Sequence, residues 1–95
     1  MSGPEFDWDP VKAAANLRKH RVSFEEAASV WFDPNRIESP DHASSELEDR
    51  EITIGLSNRL RLLTICFGRR NETKIRLTSA RSANQAETRR YTGQG

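Results

Sequence analysis

Ninety-five residues make one domain, because two separate cores would each fall near the size at which a chain stops burying enough surface to fold alone. With 35% hydrophobic and 31% charged residues and a mean hydropathy of −0.79, no apolar run approaches the roughly 18 residues of a membrane helix, and no signal-peptide layout is present. A cytoplasmic protein without a membrane partner is expected. The net charge of +1 hides a division: residues 25–51 hold nine acidic and two basic residues, a net of −7, whereas residues 52–95 hold nine basic and two acidic, a net of +7. An arginine-dense half is the footprint of a phosphate-bearing partner or, on charge alone, a set of cations paired with the acidic half within the fold.

Taken in chain order, Met1 to Pro4 read as a flexible lead-in, and Glu5 to Trp8 alternate polar and apolar as a short strand. Asp9-Pro10 is a helix start, an N-cap carboxylate before a proline at the first helical position. This helix runs to His20, with Lys12, Asn16, Lys19 and His20 on a polar side and Ala13, Ala14 and Leu17 on the packing side. Ser23-Phe24-Glu25-Glu26 is a capping box that opens a second helix, whose stripe of Phe24, Ala27, Ala28 and Trp31 ends at Asp33-Pro34. Trp8 and Trp31 are expected to pack.

Arg36 to Ser39 forms a short edge strand, and Pro40 to Ser45 a loop. Arg50 to Leu56 has apolar even positions and the period of a half-buried strand, turning at Ser57-Asn58-Arg59. Leu60 to Phe67 is more continuously apolar and therefore central, with Cys66 read as a core thiol. After a turn at Gly68 to Asn71, Thr73 to Ser79 alternates Ile75 and Leu77 against Lys74, Arg76 and Thr78. A second capping box, Ser82 to Gln85, opens a last helix, and Thr92 to Gly95 form a flexible tail. Hairpin-joined strands make an antiparallel sheet of about four strands, so the fold is α+β, one domain over residues 5–91.

His20 and His42 stand apart, no thiol pair or ligand-spaced carboxylate cluster is present, and the five glycines are scattered. No metal site, phosphate loop or other cofactor site is expected. Acid–base chemistry on a phosphodiester remains. RNA carries its own nucleophile, the 2′-hydroxyl, so a ribonuclease needs an acid, a base and cations for the charge that builds on phosphate. Arg50, Arg76 and Arg81 are candidates, since a guanidinium donates two hydrogen bonds to phosphate oxygens. Arg50 shares the parity of Ile52 and Ile54; a strand-end ion pair accounts for it equally well. Lys12, Lys74 and Arg76 are candidate RNA contacts. His20 closes its helix beside Lys19, where the dipole favours positive charge, or it caps carbonyls. Tyr91 lies one turn after Glu87 and either serves the site or anchors the helix.

Phe6-Asp7-Trp8-Asp9-Pro10, Asn16-Leu17-Arg18-Lys19-His20 and Val22 to Ala27 resemble the opening of the BrnT toxin family. Asp49-Arg50, Ile54-Gly55, Ile75 to Arg81, Glu87 and Tyr91 resemble that family's closing strand and helix. The resemblance implies a RelE-like toxin that cleaves RNA without metal. It also implies neutralisation by a BrnA-type ribbon–helix–helix antitoxin, in a complex of two toxins on an antitoxin dimer that represses its own promoter through operator DNA. By position, the catalytic candidates are Lys19, His20, Arg50, Arg81, Glu87 and Tyr91. Arg21 stands where the family commonly has glycine, and Ser82 where it often has lysine. The alternative function is a module that binds RNA or antitoxin without chemistry.

Overall fold

The structure, a computed structural model, describes residues 3–40 and 50–93, so the expected loop beyond Pro40 and His42 lie outside the described residues. Its elements are β1 (Glu5–Asp7), α1 (Pro10–His20), α2 (Phe24–Ser29) with a 3-10 turn (Val30–Phe32), β2 (Ile37–Pro40), β3 (Arg50–Leu56), β4 (Leu62–Arg69), β5 (Lys74–Ser82) and α3 (Gln85–Thr92). The α+β class holds, but the sheet has five strands in the order β1-β5-β4-β3-β2 and is mixed instead of antiparallel. Antiparallel pairing joins β2 through β5, whereas β1 runs parallel to β5. Its register sets Glu5 opposite Lys74, Phe6 opposite Ile75 and Asp7 opposite Arg76, matching charge to opposite charge around an apolar pair. No described helix is long and apolar enough to cross a membrane.

One sheet face carries the core. Leu63, Ile65 and Phe67 of β4 and Ile75, Leu77 and Ala80 of β5 meet Val22, Phe24, Ala27 and Val30. Edge-to-face ring pairs extend it, with Trp31 standing between Phe6 and Phe67 at 5.1 and 5.0 Å, and Trp8 against Phe24 at 5.7 Å. β4 is the central strand, as its continuous apolar run implied, but Cys66 lies half-buried on the other face, opposite Ile52 and Ser79. The 3-10 turn approaches β3 so closely that a Cβ at Gly55 would sit 2.6 Å from Val30 Cγ1.

Three local expectations change. Ser23 caps α2 by accepting from the Glu26 N–H, but the Glu26 carboxylate turns away from the cap. It accepts from Ser57 Oγ at 2.7 Å and from the Arg61 guanidinium, which also donates to Arg21 O. Arg61 is the first cause of a Glu26 pKa below the ordinary value, against the opposing effect of burial. α3 starts later than expected: its cap is Asn84, with Glu87 closing the capping box, and Gly93 ends it in the left-handed conformation. Arg21 takes φ +60° at the end of α1, a conformation that glycine adopts without steric cost and that costs another residue about 1 kcal/mol.

The third change concerns α1, which docks on the side read as polar. Asn16 is buried and Ala13 half-buried, whereas Ala14 and Leu17 face solvent. β1 pairs only with Lys74 to Arg76, so the rest of the β5 edge needs another partner. Asn16 provides it: its amide donates to Ala80 O at 2.8 Å and Val22 O at 3.0 Å, and its carbonyl accepts from Ala80 N at 3.1 Å. A leucine there would leave Ala80 without these partners. Asn16→Ala is expected to cost roughly 3 kcal/mol in urea denaturation, because buried backbone groups lose their bonds at ~1–3 kcal/mol each. A loss below ~0.5 kcal/mol would mean that water replaces the amide at this edge.

A candidate RNA-binding groove along β5

The face opposite the core carries the candidate groove, and a β-bulge shapes it. Arg76 pairs with Gly68 and Leu77 with Phe67, but Ser79 pairs with Cys66, leaving Thr78 as the extra residue. Strict alternation would turn Arg81 toward the core with Ile75 and Leu77. The bulge instead sends Ala80 into the core and brings Ser79 and Arg81 to the face that carries Arg76. Thr78 Oγ1 donates to Cys66 O at 3.0 Å across the bulge.

Arg50, Gly68, Arg76 and Asp7 form one row of register partners across four strands. Gly68 has no side chain to fill the space between the two arginines, whose Cα atoms stand two strand spacings, ~10 Å, apart. The result is a cleft of about 450 Å³ lined by Lys12, Arg50, Gly68, Arg69, Arg70, Arg76 and Thr78. Arg76 has Asp7 Oδ1 at 3.4 Å, and Arg69 donates at 2.8 Å to both Glu51 and Glu38 while lying over the Phe67 ring. A second cavity of about 230 Å³ lies between α1 and β5, lined by Lys12, Ala15, Asn16, Lys19, His20, Thr78 and Ser79. Lys12 and Thr78 belong to both, so cleft and cavity make one groove.

The candidate residues therefore separate into two groups. Arg50, Arg76 and Lys12 line the cleft, and Lys19 and His20 join Lys12 in the cavity. Lys74 is half-buried at the start of β5, opposite Glu5. Arg81, Glu87 and Tyr91 instead hold α3 on the sheet. The Arg81 guanidinium donates to both Glu87 oxygens at 2.8 Å, Thr64 Oγ1 donates to the same carboxylate at 2.9 Å, and Tyr91 OH donates to Asp33 Oδ2 at 2.6 Å. That Asp33 oxygen also accepts from the Leu56 N–H, so Tyr91 and Arg50 lie at opposite ends of β3. Residues Arg69, Arg70, Thr78 and Ser79 line the groove without having been singled out in the sequence.

Arg81 is the main cause that holds the Glu87 pKa down at about 2, with burial opposing and the Asn84 N–H and Thr64 assisting. Asp33 pushes Tyr91 up to about 12. Neither group changes protonation near neutrality, which fits a structural clamp. Among the described residues, no group of three or more His, Cys, Asp or Glu is placed to hold a metal ion.

The folded Glu87 pKa lies below its ordinary 4.5, so its stabilisation is complete above pH 4.5 and disappears as pH falls toward 2. The Arg81 side chain is 41% exposed, which limits the effect to on the order of 1–2 kcal/mol. Glu87→Gln is expected to flatten the stability-versus-pH curve in that window relative to the parent. Identical curves would show that the pair contributes nothing.

Comparison with known proteins bears on the same elements. A family model for the ribonuclease toxin BrnT of type II toxin–antitoxin systems matches residues 8–87, from Trp8 through α1 and the bulged β5 to Glu87. The chain is also similar to the crystal structure of the Brucella abortus ribonuclease toxin BrnT, with a TM-score of 0.68 and 25% identity, covering 86% of this chain and 99% of that one. A comparison with curated proteins finds no match. The resemblance drawn from Phe6 to Ala27 and from Asp49 to Tyr91 is thereby borne out, and the chain belongs to the BrnT family of ribonuclease toxins of type II toxin–antitoxin systems.

Proposed function

We propose that this protein is a metal-independent endoribonuclease acting in the cytoplasm, with the scissile phosphate seated where cleft and cavity meet at Lys12 and Thr78. The row Arg50–Gly68–Arg76 carries the reading, because it sets two guanidiniums on either side of an open floor. Two such forks stabilise the charge that develops on a phosphate's non-bridging oxygens. Among the described residues the cleft lining holds five cations and no carboxylate, a lining that repels a divalent cation, and at the scissile phosphate charge neutralisation falls to Arg50, Arg76 and Lys12.

The 2′-oxygen of the substrate attacks the adjacent phosphorus, and its proton passes to His20. The bond from phosphorus to the 5′-oxygen breaks, and Lys19 supplies the proton that the leaving oxygen needs. The products are a 2′,3′-cyclic phosphate and a 5′-hydroxyl. An imidazole suits the first transfer because one ring nitrogen accepts while the other donates. Arg81, Glu87 and Tyr91 act through α3, which they fix on the face that bears the groove.

Membership of a type II system implies an antitoxin partner. We infer a BrnA-like ribbon–helix–helix antitoxin, a 2:2 complex and repression of the shared operon through operator DNA; family membership is the support. The mass of the complex purified with the product of an adjacent reading frame checks the stoichiometry.

Purified protein is expected to cut single-stranded RNA in EDTA, to leave 2′,3′-cyclic ends, and to spare a substrate with a 2′-deoxy sugar at the cut. Arg76→Ala should lower kcat about 10²-fold, the scale of losing one oxyanion donor. Salt-dependent RNA binding without product would instead identify a binding module, and full activity in Arg50→Ala/Arg76→Ala would remove the cleft from the mechanism.

A further inference from the structure

The cleft is larger and more cationic than one phosphodiester requires. A single scissile phosphate carries one negative charge, yet cations line the cleft from Lys12 to the β4–β5 turn. At that outer end Arg69 is occupied by Glu38 and Glu51. Arg70 is different: it is exposed, and among the described residues its guanidinium meets no carboxylate. Its backbone N–H donates to Lys74 O at 2.9 Å, which fixes where the side chain leaves the turn. Arg70 and the catalytic junction at Thr78 border the same open floor, separated along β5 by the Arg76 position.

We propose that the outer end of the cleft, marked by Arg70, is a second phosphate subsite. It holds the phosphate next to the scissile one. The preferred substrate is then a continuous single-stranded polyribonucleotide that follows β5 from Ser79 toward the β4–β5 turn, and a lone dinucleotide fills only the inner half. A basic groove that tracks successive phosphates binds single strands with strong salt dependence. This inference rests on the ribonuclease reading of the groove, but Arg70 has no part in the proposed proton transfers, so the two are separable.

The test uses the intact protein and uncleavable 2′-O-methyl RNA: a dinucleotide with one phosphodiester, and trinucleotides that extend it on the 5′ or the 3′ side. Affinity is measured between 50 and 200 mM salt. Each phosphate contacted steepens the dependence of log K on log salt by about 0.7, so one trinucleotide should lose about 2.5-fold more affinity than the dinucleotide over this range. In Arg70→Ala the extra loss should vanish, so that the salt dependence of that trinucleotide falls to that of the dinucleotide. Arg70 lies exposed on a turn, and a thermal melt of the variant confirms that its fold is kept.

Equal salt slopes for dinucleotide and trinucleotides, with dinucleotide cleavage intact, would overturn the second subsite and leave the ribonuclease reading standing. An extra loss that persists in Arg70→Ala would overturn its placement at the turn. A protein that neither binds nor cuts any of these RNAs would overturn both readings.

Discussion

An edge strand must satisfy its outward N–H and C=O groups or leave them open to water and to other chains, and β5 meets this constraint in two ways along its length. Over Lys74 to Arg76 it pairs with β1; at Ala80 it pairs with a side chain, Asn16. Because the second partner is an amide on a helix, α1 lies against the strand edge instead of lying wholly over the sheet. Lys12, four residues before Asn16, and Lys19 and His20, three and four after it, then border the opposite face of the strand. The bulge at Thr78 acts beside the same contact, turning Ala80 toward the core, Ser79 toward the groove and Arg81 toward Glu87 of α3. Edge closure, helix position and groove all depend on this short stretch of β5.

Charge is distributed by the same geometry. The acidic middle of the chain does neutralise part of the basic half: Glu26 holds Arg61, and Glu38 and Glu51 hold Arg69. Arg81 is held within its own half by Glu87. Pairing within the fold, one of the two readings of the charge division, thus accounts for Arg61 and Arg69. The arginines on the core side of the sheet and under α3 serve the fold. Arg50 and Arg76, beside Gly68, and the lysines of α1 line one groove, a concentration of cations of the kind that draws in a polyanion.

Much of the fold was legible because it follows local rules. Proline and aspartate at the start of α1 and the apolar run of β4 each report a preference that the tertiary structure keeps, whereas β3, read as half-buried, is buried on both faces at Thr53, Ile54 and Gly55. The departures come from long-range contacts. Asn16 reads as a surface residue until its partner 64 positions away is known, and Glu26 reads as half of a capping box until Arg61 and Ser57 claim it. The parallel pairing of β1 joins the two ends of the domain, which no hairpin rule reaches. For the groove, Arg50, Arg76, Lys19 and His20 could be picked out by type and parity. Arg70 was hidden in a turn, and Ser79 sat on the wrong parity until the bulge shifted it.

RNA is proposed to lie on the bulged face of β5 between α1 and the β4–β5 turn. Backbone amide shifts of isotope-labelled protein, followed by NMR during titration with an uncleavable 2′-O-methyl RNA hexanucleotide, test it most directly. The largest changes are expected at Lys12, Lys19, Arg50, Gly68, Arg70, Arg76, Thr78 and Ser79, with α2 and the 3-10 turn through Phe32 nearly silent. Changes centred on Phe32 and Leu60, with Gly68, Thr78 and Ser79 unmoved, would contradict it.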